Sequence, residues 1–469
     1  MDKKNEKTQA EKLEEKLLSN HKNGGLILSD DKIKKADKFA EGYKDFLDKA
    51  KTEREAVAQT IELAKKNGFE EYVLGKEYKE GDKFYYNNRG KAVILTVMGK
   101  KPLSDGIRIA AAHIDSPRLD LKQNPLYEDG EIALFKTHYY GGIKKYQWTA
   151  IPLSLHGVIV KSDGEIVTVN IGEDKNDPVF CVTDLLPHLA DAQMKRTPAE
   201  LIKGEELNIL VGSRPFKDDK VSNKVKLNIM SILNEKYGVV EDDFISAELE
   251  AVPQFKASDV GFDRSMIGAY GQDDRVCAYP ALQAILKCKT PKHTCMTVLT
   301  DKEETGSDGN TGLNSSYLPY FINNLAKMQG LEGYNVMSAS ECLSADVNAA
   351  VDPTFPDVTE ARNASKINYG VVATKFTGSR GKSGTSDASA EFVGKIRRLF
   401  DKNNVIWQTG ELGKVDMGGG GTVAQYIANL DIDVIDVGVP VLSRHAPFEV
   451  TSKIDVFMAY KAFSAFFED

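Results

Sequence analysis

Residues 106–117 read Gly-Ile-Arg-Ile-Ala-Ala-Ala-His-Ile-Asp-Ser-Pro. The stretch 106–112 is apolar almost throughout, and a histidine and an aspartate follow it at once. A run that does not alternate between apolar and polar is the pattern of a strand covered on both faces, as in the inner strands of parallel or mixed sheets. Residues 91–99 (KAVILTVMG) repeat it, and 293–300, 369–376, 404–408 and 433–439 read as further strands. Helical spacing lies between them. Ile33, Ala36, Phe39, Tyr43, Phe46 and Leu47 recur every three or four residues within 32–66, which closes at Asn67-Gly68. Residues 277–287 read as a second helix, and 450–467 as an amphipathic terminal one carrying Ile454, Phe457, Tyr460, Phe463 and Phe467. The fold class expected is α/β, a mixed sheet covered by helices.

Between about 120 and 253 the texture changes. Short alternating segments are separated by turn signals at Glu128-Asp129-Gly130, Tyr139-Tyr140-Gly141-Gly142 and Ser162-Asp163-Gly164, with one amphipathic helix over 223–237. A chain of 469 residues holds two to four domains at roughly 100–200 residues each. The simplest organisation is one α/β domain, residues 1–120 and 254–469, interrupted by a β-rich insertion over 121–253.

The 61 Lys and Arg against 69 Asp and Glu leave a net charge of −8. That excess argues against nucleic acid or an anionic membrane as the main partner. No apolar run approaches the ~20 residues that span a bilayer. The charged start, MDKKNEKTQAEKLEEKLL, lacks the apolar core of a secretory signal, and its first dozen residues are expected to fray. Five cysteines, an odd number with no C-x-x-C pair, read as free thiols of a reducing compartment, so a cytoplasmic location is expected.

Five places put metal-ligand residue types at or just after apolar strands, or just before a helix: His113-Ile114-Asp115, Gln272-Asp273-Asp274-Arg275, Asp301-Lys302-Glu303-Glu304, Ser344-Ala345-Asp346, and Arg444-His445-Ala446-Pro447-Phe448-Glu449. In open α/β sheets ligands collect where strand ends and their loops converge. Two imidazoles with several carboxylates suit a zinc-like pair, whereas magnesium or calcium would want oxygens alone. Two metals ~3.5–4 Å apart need a shared ligand, which an aspartate can supply with its two oxygens. Glu303 and Glu304 are neighbours, so a tight loop can aim one at a metal and leave the other free as a general base. Asp115 is placed to orient His113 or its metal.

The series H-I-D-S-P, G-x-D-D-R-V, E-E-T-G-S, S-A-D and the late histidine resembles the aspartyl aminopeptidase family of dinuclear zinc metallo-aminopeptidases, in the right order over nearly the whole chain. That resemblance implies a zinc-exopeptidase fold with the insertion as dimerisation domain. It implies that His113, Asp273 and Asp346 bind one metal and Asp273, Glu304 and His445 the other, with Asp273 bridging. It makes Glu303 the general base, taking the proton from a hydroxide-forming water between the two metals, with Asp115 as its supporting carboxylate behind His113. It also implies a cis Asp273–Asp274 peptide and a large homo-oligomer, of which a dodecamer is one form. His188, in Leu186-Pro187-His188-Leu189-Ala190, resembles a histidine that reaches a neighbouring subunit's active site. Gly421 and Thr422, in GGGGT, resemble a loop lining the substrate pocket. The metals expected are two divalent ions per subunit, zinc first, with cobalt or manganese as other occupants, and the substrates are peptides. Three departures put an acidic N-terminal residue in doubt as the preferred substrate. The run His445-Ala446-Pro447-Phe448-Glu449 is closer to a cousin family, Asp274 stands where Asn is usual, and the spacing is shifted around Ser379-Arg380-Gly381-Lys382, near the family's basic substrate-recognition region. The alternatives are a hydrolase of the same clan acting on N-acyl amino acids, and an inactive metal-binding assembly protein.

Overall fold

The computed structural model describes residues 7–469. Of the first dozen residues expected to fray, 1–6 lie outside the described residues, while Gln9–Leu17 is a helix started by a Thr8–Glu11 capping box.

Nine strands form the main sheet, in the spatial order Glu70–Glu71, Lys83–Asn88, Ala92–Val97, Thr294–Thr300, Ile107–His113, Glu341–Ser344, Asp433–Gly438, Val371–Thr374 and Trp407–Thr409. Its middle is parallel: Thr294–Thr300, Ile107–His113, Glu341–Ser344 and Asp433–Gly438 all run the same way. Ala92–Val97 joins antiparallel, so the sheet is mixed, as expected. Alternate side chains enter two cores. Val93, Leu95, Ala110 and Ala112 meet the helices Asp30–Lys49, Gln272–Lys287 and Lys453–Glu468, while Ile94, Ile107, Ile109 and Ala111 meet Tyr317–Lys327 and Gly333–Ser338. Both faces are therefore buried, which is why these strands read as continuous apolar runs.

A second, seven-stranded antiparallel sheet contains Arg118–Asp129, Ile132–Tyr140, Leu153–Val160 and Ala247–Pro253, and the helix Lys224–Tyr237 packs on it. A third, five-stranded sheet has no counterpart in the sequence pattern. In it Met266–Ala269 pairs with Glu449–Ser452, that strand with Pro440–Leu442, and the last with Asn348–Ala349. These short strands tie together three loops that leave the main sheet at different points.

Two expected helices differ. The 32–66 segment is two helices, Asp30–Lys49 and Glu53–Lys66. Thr52 and Glu55 form a capping box that starts the second. The Lys51 carbonyl, freed by the break, accepts from Arg275 Nη2 at 2.9 Å. The terminal helix begins only at Lys453, because Glu449–Ser452 is drawn into the third sheet and the Ser452 side chain caps the first turn of the helix.

Candidate metal centre and active site

His113 is the last residue of its strand, paired with Thr300 of the neighbour, so the loop carrying Glu303 and Glu304 leaves at the same level. Its Nε2 lies 3.2 Å from Asp273 Oδ1 and 3.7 Å from Glu303 Oε2. Its Nδ1 is 3.0 Å from the Asp115 carbonyl and 3.3 Å from Asp115 Oδ1. One ring nitrogen is thus anchored and the other faces the acids. Across the site, His445 Nε2 is 3.1 Å from Asp273 Oδ2 and 3.4 Å from Glu304 Oε1, while its Nδ1 is 2.8 Å from the Gly142 carbonyl. Asp273 presents one oxygen to each histidine.

His113, Asp273 and Asp346 form one group of potential ligands, and Asp273, Glu304 and His445 another, each with ligating atoms within 4.8 Å of one another. His113, Glu303 and Glu304 form a third. The Asp273–Asp274 peptide is cis.

Several contacts that hold this arrangement have no signal in the sequence, although Asp115, one of the residues making them, does. Glu449 accepts the His445 N–H with Oε1 and the Asp273 N–H with Oε2, at 2.8 and 3.1 Å. Arg444 places Nε 2.5 Å from Asp273 Oδ2 and Nη2 3.1 Å from Asp346 Oδ1. Asp115 accepts the N–H groups of Glu303 and Glu304, both at 3.2 Å, and the Tyr140 hydroxyl at 2.7 Å. Apart from the Glu449–His445 contact, four residues apart, these contacts join distant segments, and Arg444 and Glu449 stand out only as members of the His445 run.

Burial is the first cause of the shifted acidities. It pushes Glu303 up to about 8, with Asp346, Asp273 and Asp115 adding and His113 opposing. It pushes Asp346 up to about 6 against the pull of Arg444. For His445 burial acts the other way, but the Asp273 hydrogen bond and the Glu304 charge outweigh it and raise the ring to about 9.

Glu304 Oε1, Asp346 Oδ2 and both Asp274 oxygens are buried without a hydrogen-bond partner. Buried carboxylate oxygens left this way are costly unless a cation or a proton meets them. With Asp273 and two imidazoles beside them, the Glu304 and Asp346 oxygens make the donor set that a borderline divalent ion such as zinc takes. The residues fit a metal.

A cleft of about 960 Å³ opens from this cluster. Glu303, Glu304 and His445 line it, as do Gly421 and Thr422 of the glycine loop. The Thr422 hydroxyl donates to Asp436 at 3.1 Å, so it is already engaged. His188 is elsewhere: exposed, in the short helix Pro187–Leu189 of the antiparallel-sheet region, and not among the residues lining the cleft.

The sequence model of a family described as aminopeptidase I zinc metalloprotease (M18) matches residues 46–467. The probable M18 family aminopeptidase 1 of Clostridium acetobutylicum is 51% identical over 458 residues, covering 96% of this chain and 98% of the relative. The crystal structure of the M18 aminopeptidase of Thermotoga maritima superposes with a TM-score of 0.92 at 44% identity, covering 96% of this chain and 99% of the other. A Saccharomyces cerevisiae aminopeptidase solved as a dodecamer shares the fold at a TM-score of 0.74 and 22% identity, over 91% of this chain and 96% of the other. With ligand-type residues gathered at the strand ends and the family matched over nearly its whole length, this chain belongs to the M18 family of zinc metallo-aminopeptidases.

Proposed function

We propose that this aminopeptidase works with two divalent ions per subunit and Glu303 as its general base. The observation that carries the reading is Asp273, whose two oxygens face two different histidines at 3.2 and 3.1 Å. That is the disposition of a bridging carboxylate. His113, Asp273 and Asp346 would hold one ion, and Asp273, Glu304 and His445 the other. When bound, zinc supplies Lewis-acid polarisation of the scissile carbonyl and positive charge for the oxyanion that develops there.

The chain's own groups do the rest. Glu303, which lines the cleft, takes the proton of the attacking water at its carboxylate and returns it to the leaving amine. Asp115 fixes Glu303 by accepting its backbone N–H. The cleft walls formed by the glycine loop and by Val347 to Ala350 seat the peptide. Acidic side chains beside the cluster favour a free α-amino group, which limits cleavage to the N-terminus. The substrates are peptides. The five cysteines are all free, which supports a reducing compartment, the cytoplasm. Among the described residues no helix is long and apolar enough to cross a membrane. By analogy with the yeast relative, the chain assembles as a large homo-oligomer, a dodecamer, in which His188 reaches a neighbouring subunit.

The test is a panel of aminoacyl-amides and their N-acetylated counterparts. Only the free-amine substrates should turn over, and Glu303→Gln should lower kcat by about 10²–10⁴-fold while zinc stays bound. Equal cleavage of the acetylated series, or a fully active Glu303→Gln, overturns the reading.

A further inference from the structure

The strand Ile132–Tyr140 belongs to the antiparallel sheet, yet its end reaches the metal cluster. Three consecutive residues touch three parts of the site. Tyr140 donates its hydroxyl to Asp115 Oδ2 at 2.7 Å. Gly141 lies against Glu304, close enough that a Cβ there would sit 3.3 Å from that side chain, and its φ of +75° suits glycine. The Gly142 carbonyl holds His445 Nδ1 at 2.8 Å. Behind them Arg118, the cross-strand partner of Tyr140, lays its guanidinium 3.9 Å from the centre of the Tyr140 ring. Arg118 is buried and anchored in turn by Asp120 at 2.8 Å and Glu250 at 3.2 Å.

We propose that Tyr140 is a positioning residue for catalysis: its hydroxyl fixes the Asp115 carboxylate, and Asp115 fixes the turn that presents Glu303. The carboxylate has two oxygens and three neighbours, the N–H groups of Glu303 and Glu304 and Nδ1 of His113. A fourth partner, rigidly backed by the Arg118 stack, stops it from rotating about its own bond. Without the hydroxyl the two N–H contacts at 3.2 Å, already long, have nothing to keep them paired. Glu303 would then sample positions away from the proton it must take, and misplacement of a reacting group costs rate steeply. The Tyr140 hydroxyl bonds to Asp115, which is not a proposed ligand, so metal binding is not its task. The antiparallel sheet on this account completes the active site of its own chain in addition to any part in assembly. The inference rests on the proposed role of Glu303.

Tyr140→Phe tests it, since the ring stays over Arg118 and only the hydroxyl goes. The variant is compared with wild type and with Tyr139→Phe, whose side chain is exposed one residue earlier. Steady-state kinetics on an aminoacyl-amide, zinc affinity by competition with a chelating dye, and thermal melting are measured on the purified full chain. The result expected for Tyr140→Phe is a kcat about tenfold lower with KM within twofold, zinc affinity within about threefold of wild type, and a folded protein at the assay temperature. Tyr139→Phe should match wild type. An unchanged kcat, a loss that appears in KM alone, an equal loss in Tyr139→Phe, or a tenfold fall in zinc affinity would each overturn the positioning role. A wild-type chain that shows no zinc-dependent turnover removes the reading of Glu303 and the inference with it. A wild type that turns over, with an unaffected Tyr140→Phe, removes the inference alone.

Discussion

Gly271 stands two residues before Asp273 at a φ of +71°, and a Cβ there would meet Arg275 Nη1 at 1.9 Å. Arg275 cannot step aside, because Nε donates to the Ile114 carbonyl and Nη2 to that of Lys51. Gly271→Ala should therefore destabilise the chain by about 2 kcal/mol or more, combining a strained backbone with a displaced buried cation. The midpoint of denaturant unfolding measures it, and a loss under about 0.5 kcal/mol would mean the loop relaxes freely. Glu449 acts on the metal cluster through two backbone N–H groups, those of His445 and Asp273. Glu449→Gln keeps one acceptor and loses the other, so zinc affinity should fall about 10–100-fold, read by chelator competition. The residue types at these positions are plain in the sequence. Their partners are not, because Gly271 and Arg275 gain meaning only from a close approach that folding creates.

Among the elements, the helix pair at 30–66 carries a local signal that the apolar spacing hides. That spacing runs through the break, but Thr52 and Glu55 stand three apart, as a capping box requires. Thr52→Ala should cost about 1 kcal/mol, seen as an earlier unfolding midpoint with an unchanged slope. A change near zero would assign the break to the Lys51 contacts alone. The three short strands that carry the cluster loops lie at the other extreme. Asn348–Ala349, Pro440–Leu442 and Glu449–Ser452 are two to four residues long and contribute no periodicity. Their pairing is non-local, so the amphipathic pattern from 450 onward sets the terminal helix three residues too early.

For the molecule as a whole, zinc and protons report on different regions. Zinc held by the proposed ligands would bind only the folded chain, so stripping it with a chelator should lower the melting temperature. Restoring it at a thousandfold above its dissociation constant should return about 4 kcal/mol. No shift on zinc addition would place the ion outside the folded core. His156, on the antiparallel sheet, reaches the helix Glu53–Lys66, with Nδ1 2.7 Å from Glu55, and places Nε2 3.3 Å from Glu173. Burial alone would lower its pKa, but the hydrogen bonds to Glu173 and Glu55 outweigh burial and hold it above the ordinary value. A folded-state pKa that is raised gives stability in full below the unfolded value of about 6.5 and loses it as pH climbs through the folded value. His156→Gln should therefore cost on the order of 2 kcal/mol at pH 6 and less at pH 9, compared by unfolding at both. An equal cost at the two pH values would show that packing, not charge, is what His156 supplies.

The sequence by itself determined the α/β class, the family and the identities of the clustered side chains. Continuous apolar runs bounded by loop signals read as strands covered on both faces, and His113, Glu303 and Glu304 stand just at or beyond the ends of such runs. Tertiary structure decided which atoms face which. That Asp273 divides its oxygens between two histidines, that Glu449 and Arg444 brace it, and that Tyr140 crosses from the antiparallel sheet to hold Asp115 are outcomes of pairings between residues tens to hundreds apart. Periodicity records what a segment buries. It carries no record of which distant segment does the burying, and the cluster is built where several such segments meet.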